Sequence, residues 1–170
     1  MSAPKNSIKP IQSFASFSNY TSLHLAVIRE NIAEIQNLKK PKELYIPDSI
    51  NQDTPLHLAI EAASLQIATI IIWQIFLQPD FATRQKALNA QDREGNTPLI
   101  LAIKRGQNKI AQQLLGHQEV DLSICDESGN TAIDLCCNND LGNYLKTNTS
   151  PSNSIANPHS NQVAKSVVVK

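Results

Sequence analysis

Aromatic residues make up only 5% of this chain, and its 170 residues hold a single tryptophan. That scarcity excludes a core centred on large rings. The 41% of residues that are hydrophobic must pack mainly through Leu, Ile and Ala. Such side chains suit closely approaching helices better than an aromatic-centred β-sandwich. An excess of either charge is also missing, since 15 basic residues face 15 acidic ones. Nucleic-acid-binding domains carry a marked basic surplus, so no nucleic-acid partner is expected. Five glycines leave no Gly-rich phosphate loop, and the HExxH, GxSxG and kinase motifs are absent. Cysteine is scarce too: Cys125, Cys136 and Cys137 are odd in number, and two are adjacent. Neighbouring cysteines on a helix point about 100° apart and do not suit a mutual bridge. The first 20 residues contain Pro4, Lys5, Lys9 and Pro10 and no apolar leader run. A reducing, cytoplasmic setting is the expectation. Long apolar runs are lacking as well. The most apolar stretch, Ile67 to Leu77, falls well short of the roughly 20 residues that span a bilayer, and it reads as a buried helix.

What is present is repetition. Four segments align: Thr21-Ser-Leu-His-Leu-Ala-Val27, Thr54-Pro-Leu-His-Leu-Ala-Ile60, Thr97-Pro-Leu-Ile-Leu-Ala-Ile103 and Thr131-Ala-Ile-Asp-Leu-Cys-Cys137. Their threonines lie 33, 43 and 34 residues apart. Each segment has helix-start chemistry. A threonine accepts a bond from an orphan backbone N–H, and a following proline occupies the first turn without cost. Leu56, Ala59 and Ile60 recur at i, i+3 and i+4 and make one apolar stripe. The small Ala26, Ala59 and Ala102 allow paired helices to approach closely. Gly106 suits the left-handed end of a helix. Units with one apolar face cannot bury it alone and must stack.

The segment Asp92-Arg-Glu-Gly-Asn-Thr-Pro-Leu-Ile-Leu-Ala-Ile-Lys-Arg-Gly106 resembles the first half of an ankyrin repeat, and Ile110, Leu114 and Leu115 resemble its second helix. Two of the three intervals sit at the ankyrin period of about 33 residues. The resemblance covers roughly residues 18–146. It implies an all-α ankyrin-repeat solenoid of four helix-turn-helix repeats with hairpin-like loops between flexible tails. The expected units run from 18 to 50, 51 to 88, 89 to 125 and 126 to 146. Residues 1–17 are expected to form a flexible segment and 147–170 a disordered tail, on its Ser, Asn and Thr content. The first unit lacks Asp and Gly before Tyr20-Thr21 and has Glu30-Asn31 where glycines are typical, so it reads as a cap. The last unit has a short second helix ending near Asn138, Asn139 and Asp140 and reads as the other cap. The extra ten residues of the second unit fall near 78–88. Their simplest role is to cover the apolar surface of Trp73 and Phe76.

The resemblance also assigns roles. Thr21, Thr54, Thr97 and Thr131 start first helices, and Gly95 and Gly129 make the hairpin turns. His24 and His57 hydrogen-bond the backbone of their own and the next repeat. Ile100 and Asp134 replace that histidine later, so a metal site is not expected. No catalytic residue and no cofactor is expected either. Cys136 and Cys137 stand where alanine and an apolar residue stand elsewhere and read as core. Protein partners of this family dock on hairpin tips and first helices. That marks Asn51, Asp53, Arg93, Glu94 and Asn96 at the tips and Arg29, Glu61, Lys104 and Arg105 on the helices. An unidentified protein partner is thus expected, bound by mixed charges. The chain is expected to be a monomer, with the outer side of Leu65 to Leu77 as the candidate dimer face. The tail ending Val167-Val168-Val169-Lys170 is similar to C-terminal secretion signals of bacterial type IV effectors, which would place the protein in a host cytoplasm. The length also resembles that of short NF-κB inhibitors, without their acidic or phospho-degron segments.

Overall fold

The computed structural model describes residues 19–136 and Gly142. The expected segments 1–17 and 147–170 with its secretion signal, together with Cys137, Asn138 and Asn139, lie outside the described residues. The described residues form eight α-helices and no strand, apart from an isolated bridge between Cys125 and Thr131. The helices are α1 (Ser22–Ile28), α2 (Ile32–Gln36), α3 (Pro55–Glu61), α4 (Leu65–Phe76), α5 (Phe81–Leu88), α6 (Pro98–Lys104), α7 (Asn108–Leu115) and α8 (Ala132–Cys136). A short 3-10 turn covers Pro41–Leu44.

The first helices start as their sequences dictate. Thr21 and Thr97 accept bonds from the N–H groups of His24 and Ile100 at 3.4 and 3.3 Å. Pro55 and Pro98 take the first turns of α3 and α6. Each of the three helices then ends in the same way. The backbone turns left-handed nine residues after the threonine, at Glu30 (φ 53°), Ala63 (φ 52°) and Gly106 (φ 68°). The next N–H closes on the alanine carbonyl of the first helix, by Asn31 to Ala26 at 2.9 Å, Ser64 to Ala59 at 3.1 Å and Gln107 to Ala102 at 2.8 Å. The second helix runs back from there. Asn31 and Ser64 cap α2 and α4 with their side chains.

Two rows of helices result. α1, α3, α6 and α8 pack side by side in one row, and α2, α4 and α7 in the other. The core between them holds the expected stripe of Leu56, Ala59 and Ile60, together with Leu23, Leu99 and the fully buried alanines 26 and 102. Cys136 occupies the alanine position of the last unit and is buried. Only side chains this small let first helices stack at close range.

The second unit departs most from the others. α4 has 12 residues against eight in α7 and five in α2. After it, Asp80 caps α5 through the N–H groups of Ala82 and Thr83. α5 brings Ala87 and Leu88 into the core and binds the loop after α7. Arg84 pairs with Glu119 at 2.7 Å, and Asn89 donates to the Glu119 carbonyl at 2.6 Å. The insertion does not cover the α4 surface. Trp73 remains 60% and Phe76 51% exposed. The cause is direction: α5 is tied through Arg84 and Asn89 to the loop after α7, and Trp73 and Phe76 stay uncovered.

Candidate interaction surface

Three hairpins project beside the first helices. Each begins with an aspartate that folds the turn around its own carboxylate. Asp92 Oδ1 accepts from the N–H groups of Glu94 and Asn96 at 2.9 and 2.8 Å. Asp126 Oδ1 does the same for Ser128 and Asn130, both at 2.9 Å. In the second unit the aspartate is Asp48, which accepts from Ile50 and Asn51 at 2.8 Å. The turn of this unit therefore opens three residues ahead of the expected boundary at 51. A left-handed residue sits two positions before each threonine: Gln52 (φ 61°), Gly95 (φ 76°) and Gly129 (φ 80°).

Backbone bonds join the hairpins laterally. Arg93 N–H donates to the Asn51 carbonyl at 2.7 Å and Glu127 N–H to the Glu94 carbonyl at 3.0 Å. The second of these bonds passes close to Gly95. A Cβ there would stand 2.8 Å from the Glu127 nitrogen.

Histidines lock the first two joints. The Thr21 N–H and hydroxyl lie 3.2 and 2.7 Å from His24 Nδ1. With Nδ1 accepting, Nε2 carries the proton and donates to the Asp53 carbonyl at 2.8 Å. His57 repeats this with Thr54 and the Asn96 carbonyl, the latter at 3.0 Å. Burial pulls the His24 pKa down and lowers that of His57 to about 4, so both rings are neutral at pH 7. The third joint has Ile100 in place of the histidine. Lys104 takes over, its ammonium 2.6 Å from Asn96 Oδ1 and 2.8 Å from Asp126 Oδ2. The lysine hydrogen bond, helped by the Asn130 N–H, lowers the Asp126 pKa to about 2. Asp134 keeps only the local half of the histidine's role, accepting from the Thr131 N–H and hydroxyl at 2.9 and 2.6 Å.

The expected contact residues divide by exposure. Arg29, Asn51, Glu61, Arg93, Glu94, Lys104 and Arg105 are exposed. Glu61 and Arg105 pair across two units at 2.6 Å while their side chains remain 36% and 54% exposed. Asn96 and Asp53 are not tip residues that a partner can touch, because both are buried. Asn96 turns inward because Asp92 accepts from both its backbone and its side chain. Burial, and then the negative charges of Asp48, Asp92 and Glu61, raise the Asp53 pKa to about 7. Lys104 is a tie between units three and four and not a free cation. Arg93 has no ion pair among the described residues. Sequence reasoning missed Gln107, whose side chain donates to the Ile60 carbonyl at 2.6 Å and sews units two and three together. The signal for Asp48 was its spacing of six residues to Thr54, one longer than in the later hairpins.

Among the described residues no cluster of His, Cys, Asp and Glu is placed to hold a metal. None of their helices is long and apolar enough to cross a membrane.

Comparison with known proteins agrees with this geometry. Residues 82–136 match the family model "Ankyrin repeats (many copies)". The chain is 27% identical over 142 residues to the "Probable 26S proteasome regulatory subunit p28" of Saccharomyces cerevisiae, covering 83% of this chain and 58% of that protein. It is 30% identical over 120 residues to a "Probable serine/threonine-protein kinase" of Dictyostelium discoideum, covering 68% of this chain and 13% of that one. The chain thus spans less than two thirds of either relative. The crystal structure of the ankyrin repeat domain of Bcl-3 superposes with a TM-score of 0.55 at 20% identity, over 70% of this chain and 48% of that one. Residues 82–136 match the ankyrin-repeat family model, and the paired helices and lateral hairpin bonds that recur across the described residues give the chain the ankyrin-repeat fold.

Proposed function

We propose that the protein is a non-enzymatic interaction module that binds a partner protein through its hairpin tips and the ends of its first helices. The four units expected from the sequence, 18–50, 51–88, 89–125 and 126–146, form the binding domain in this reading, and the setting is cytoplasmic. One observation carries it. Apart from Lys104, which is exposed and yet ties two units, the polar side chains along the hairpin row fall into two sets. Those that build the stack are buried, as in His24, His57, Asp53 and Asn96. Asn51, Arg93, Glu94, Arg29 and the Glu61–Arg105 pair point outward on a backbone held by lateral bonds. A rigid row of exposed side chains of both signs suits a protein surface of complementary charge. Such a surface steers encounter and fixes register. The relative whose name makes it a regulatory subunit of the 26S proteasome is in keeping with a role in protein assemblies.

The test is affinity capture with wild type and an Arg93→Ala, Glu94→Ala, Arg105→Ala triple variant, leaving Lys104 intact because it ties two units. Loss of specific partners by the variant, with unchanged helical circular dichroism, is expected. The same partners at the same yield from both proteins would remove the tip row as the binding surface.

A further inference from the structure

α4 carries more apolar surface than its own stack can bury. Its inner side supplies Ile67, Ala68, Ile71, Ile72 and Ile75 to the core. Its outer side holds Trp73 and Phe76, followed by Leu77 at its end and Phe81 at the start of α5. These four are 60%, 51%, 56% and 53% exposed. Trp73, Phe76 and Leu77 stand at i, i+3 and i+4 and share one face, and Phe81 opens the helix that follows. The Trp73 and Phe76 rings lie 5.9 Å apart, and Phe76 rests 5.6 Å from the His117 ring. Large aromatic side chains bury 150–250 Å² each, so the exposed apolar area here is about 400 Å². A patch of that size lies within the range of the largest patch on a single chain, which is often functional.

The surrounding charges are of both signs, and no sign is in excess. Arg84 lies over the Phe81 ring, yet its guanidinium is bonded to Glu119 at 2.7 Å and to the Gln78 carbonyl at 2.6 Å. The Asp80 carboxylate accepts from Thr83. Lys86 sits 5.8 Å from the Tyr45 ring. Gln66, Gln74 and Gln78 supply uncharged polar groups along the same helix and its end. A partner recognised by charge would need an excess of one sign here. A second copy meets this face with balanced signs, because an isologous contact sets residue i against residue j and j against i, so exposed charges of opposite sign can face each other.

We propose that the occupant of this face is a second copy of the chain, docked about a two-fold axis with Trp73, Phe76, Leu77 and Phe81 at the centre. The area fits. Homodimer interfaces are about 65% apolar and a stable one buries about 800 Å² per partner, so the patch furnishes most of the apolar centre of one. The face belongs to the second-helix row and leaves the hairpin tips open, so the dimer would present two binding rows. The inference stands independently of the tip-row reading.

Trp73 is the only tryptophan in the chain, so its fluorescence reports on this face alone. The full chain is diluted while sedimentation equilibrium gives its mass and emission gives the burial of Trp73. The expected result is a dimer whose emission moves to longer wavelength on dilution, in step with the fall in mass. Leu77→Glu and, separately, Phe81→Glu keep the reporter and place like charges face to face. Each is expected to give a monomer with red-shifted emission at every concentration and unchanged helical circular dichroism. If Leu77→Glu unfolds, Phe81→Glu on the other helix still decides. A chain that stays monomeric overturns the proposal. So does a dimer untouched by either variant. Emission already at short wavelength and independent of concentration also overturns it, because another segment of the same chain would then cover the ring.

Discussion

Gly95 and Gly106 are both left-handed, but they differ in what surrounds them. At Gly106 (φ 68°) no atom lies within 4 Å of where a Cβ would sit, whereas at Gly95 (φ 76°) the Glu127 nitrogen would be 2.8 Å away. Gly106→Ala therefore meets only the backbone penalty of a left-handed residue, about 1–2 kcal/mol. Gly95→Ala adds displacement of the next hairpin and loss of the Glu127–Glu94 bond, so about 2–4 kcal/mol is expected in all. Urea unfolding of the two variants compares them directly, and equal losses would show that the hairpins are not in contact at Gly95. The same scale explains what could be read in advance. The threonine, proline and alanine positions were legible because each does one local job at a fixed spacing. The hairpin of unit two was not, because Gln52 takes a left-handed position without being glycine and one extra residue separates Asp48 from Thr54. Asn96 was legible as part of a hairpin but not as buried, since the direction of its side chain depends on Asp92.

Between elements, two kinds of joint hold the stack. Neutral histidines connect units one to two and two to three, and the Lys104–Asp126 pair connects three to four. Lys104→Met keeps the aliphatic length of the side chain and removes the ammonium. It leaves the buried Asp126 carboxylate with the Ser128 and Asn130 N–H groups and the Asn130 side-chain amide as its donors. Leaving a buried carboxylate without its cation is costly, so unit four is expected to open before the rest. Faster hydrogen exchange at the Glu127 and Asn130 amides, with the α3 amides unchanged, is the expected signature. Uniform acceleration across the chain would show that the joint is not local. The insertion was legible as a long interval between threonines. Its consequence was not, because whether α5 shields Trp73 depends on which way it crosses α4. That direction is fixed by Arg84–Glu119 and by Asn89, contacts 30 to 35 residues apart in sequence.

For the whole molecule, stability is close to a sum over units and their joints, and pH acts on that sum in two opposing ways. The histidines have folded pKa values below 6.5, with His57 at about 4. In acid the unfolded chain takes up protons that the fold refuses, so this contribution is present above pH 6.5 and lost as pH falls toward 4. Asp53 has a folded value raised to about 7. Its contribution is present below pH 3.8 and lost as pH rises through 7. The two trends oppose each other between pH 4 and 6.5, so the wild-type dependence there is expected to be shallow. Asp53→Asn removes one of them. The variant is expected to be more stable than wild type at pH 8, with the advantage fading by about pH 4 and a steeper acid loss. Thermal unfolding across that range measures it, and a variant no more stable at pH 8 would contradict the strained carboxylate.

Two of the bonds that join neighbouring hairpins run from main chain to main chain, through the N–H groups of Arg93 and Glu127. The side chains at those two positions take no part in them. Folding and recognition are therefore written in different atoms at the same residues. New side chains can be installed at Arg93 and Glu127 without disturbing the ladder, which makes the row a ready site for grafting a chosen specificity.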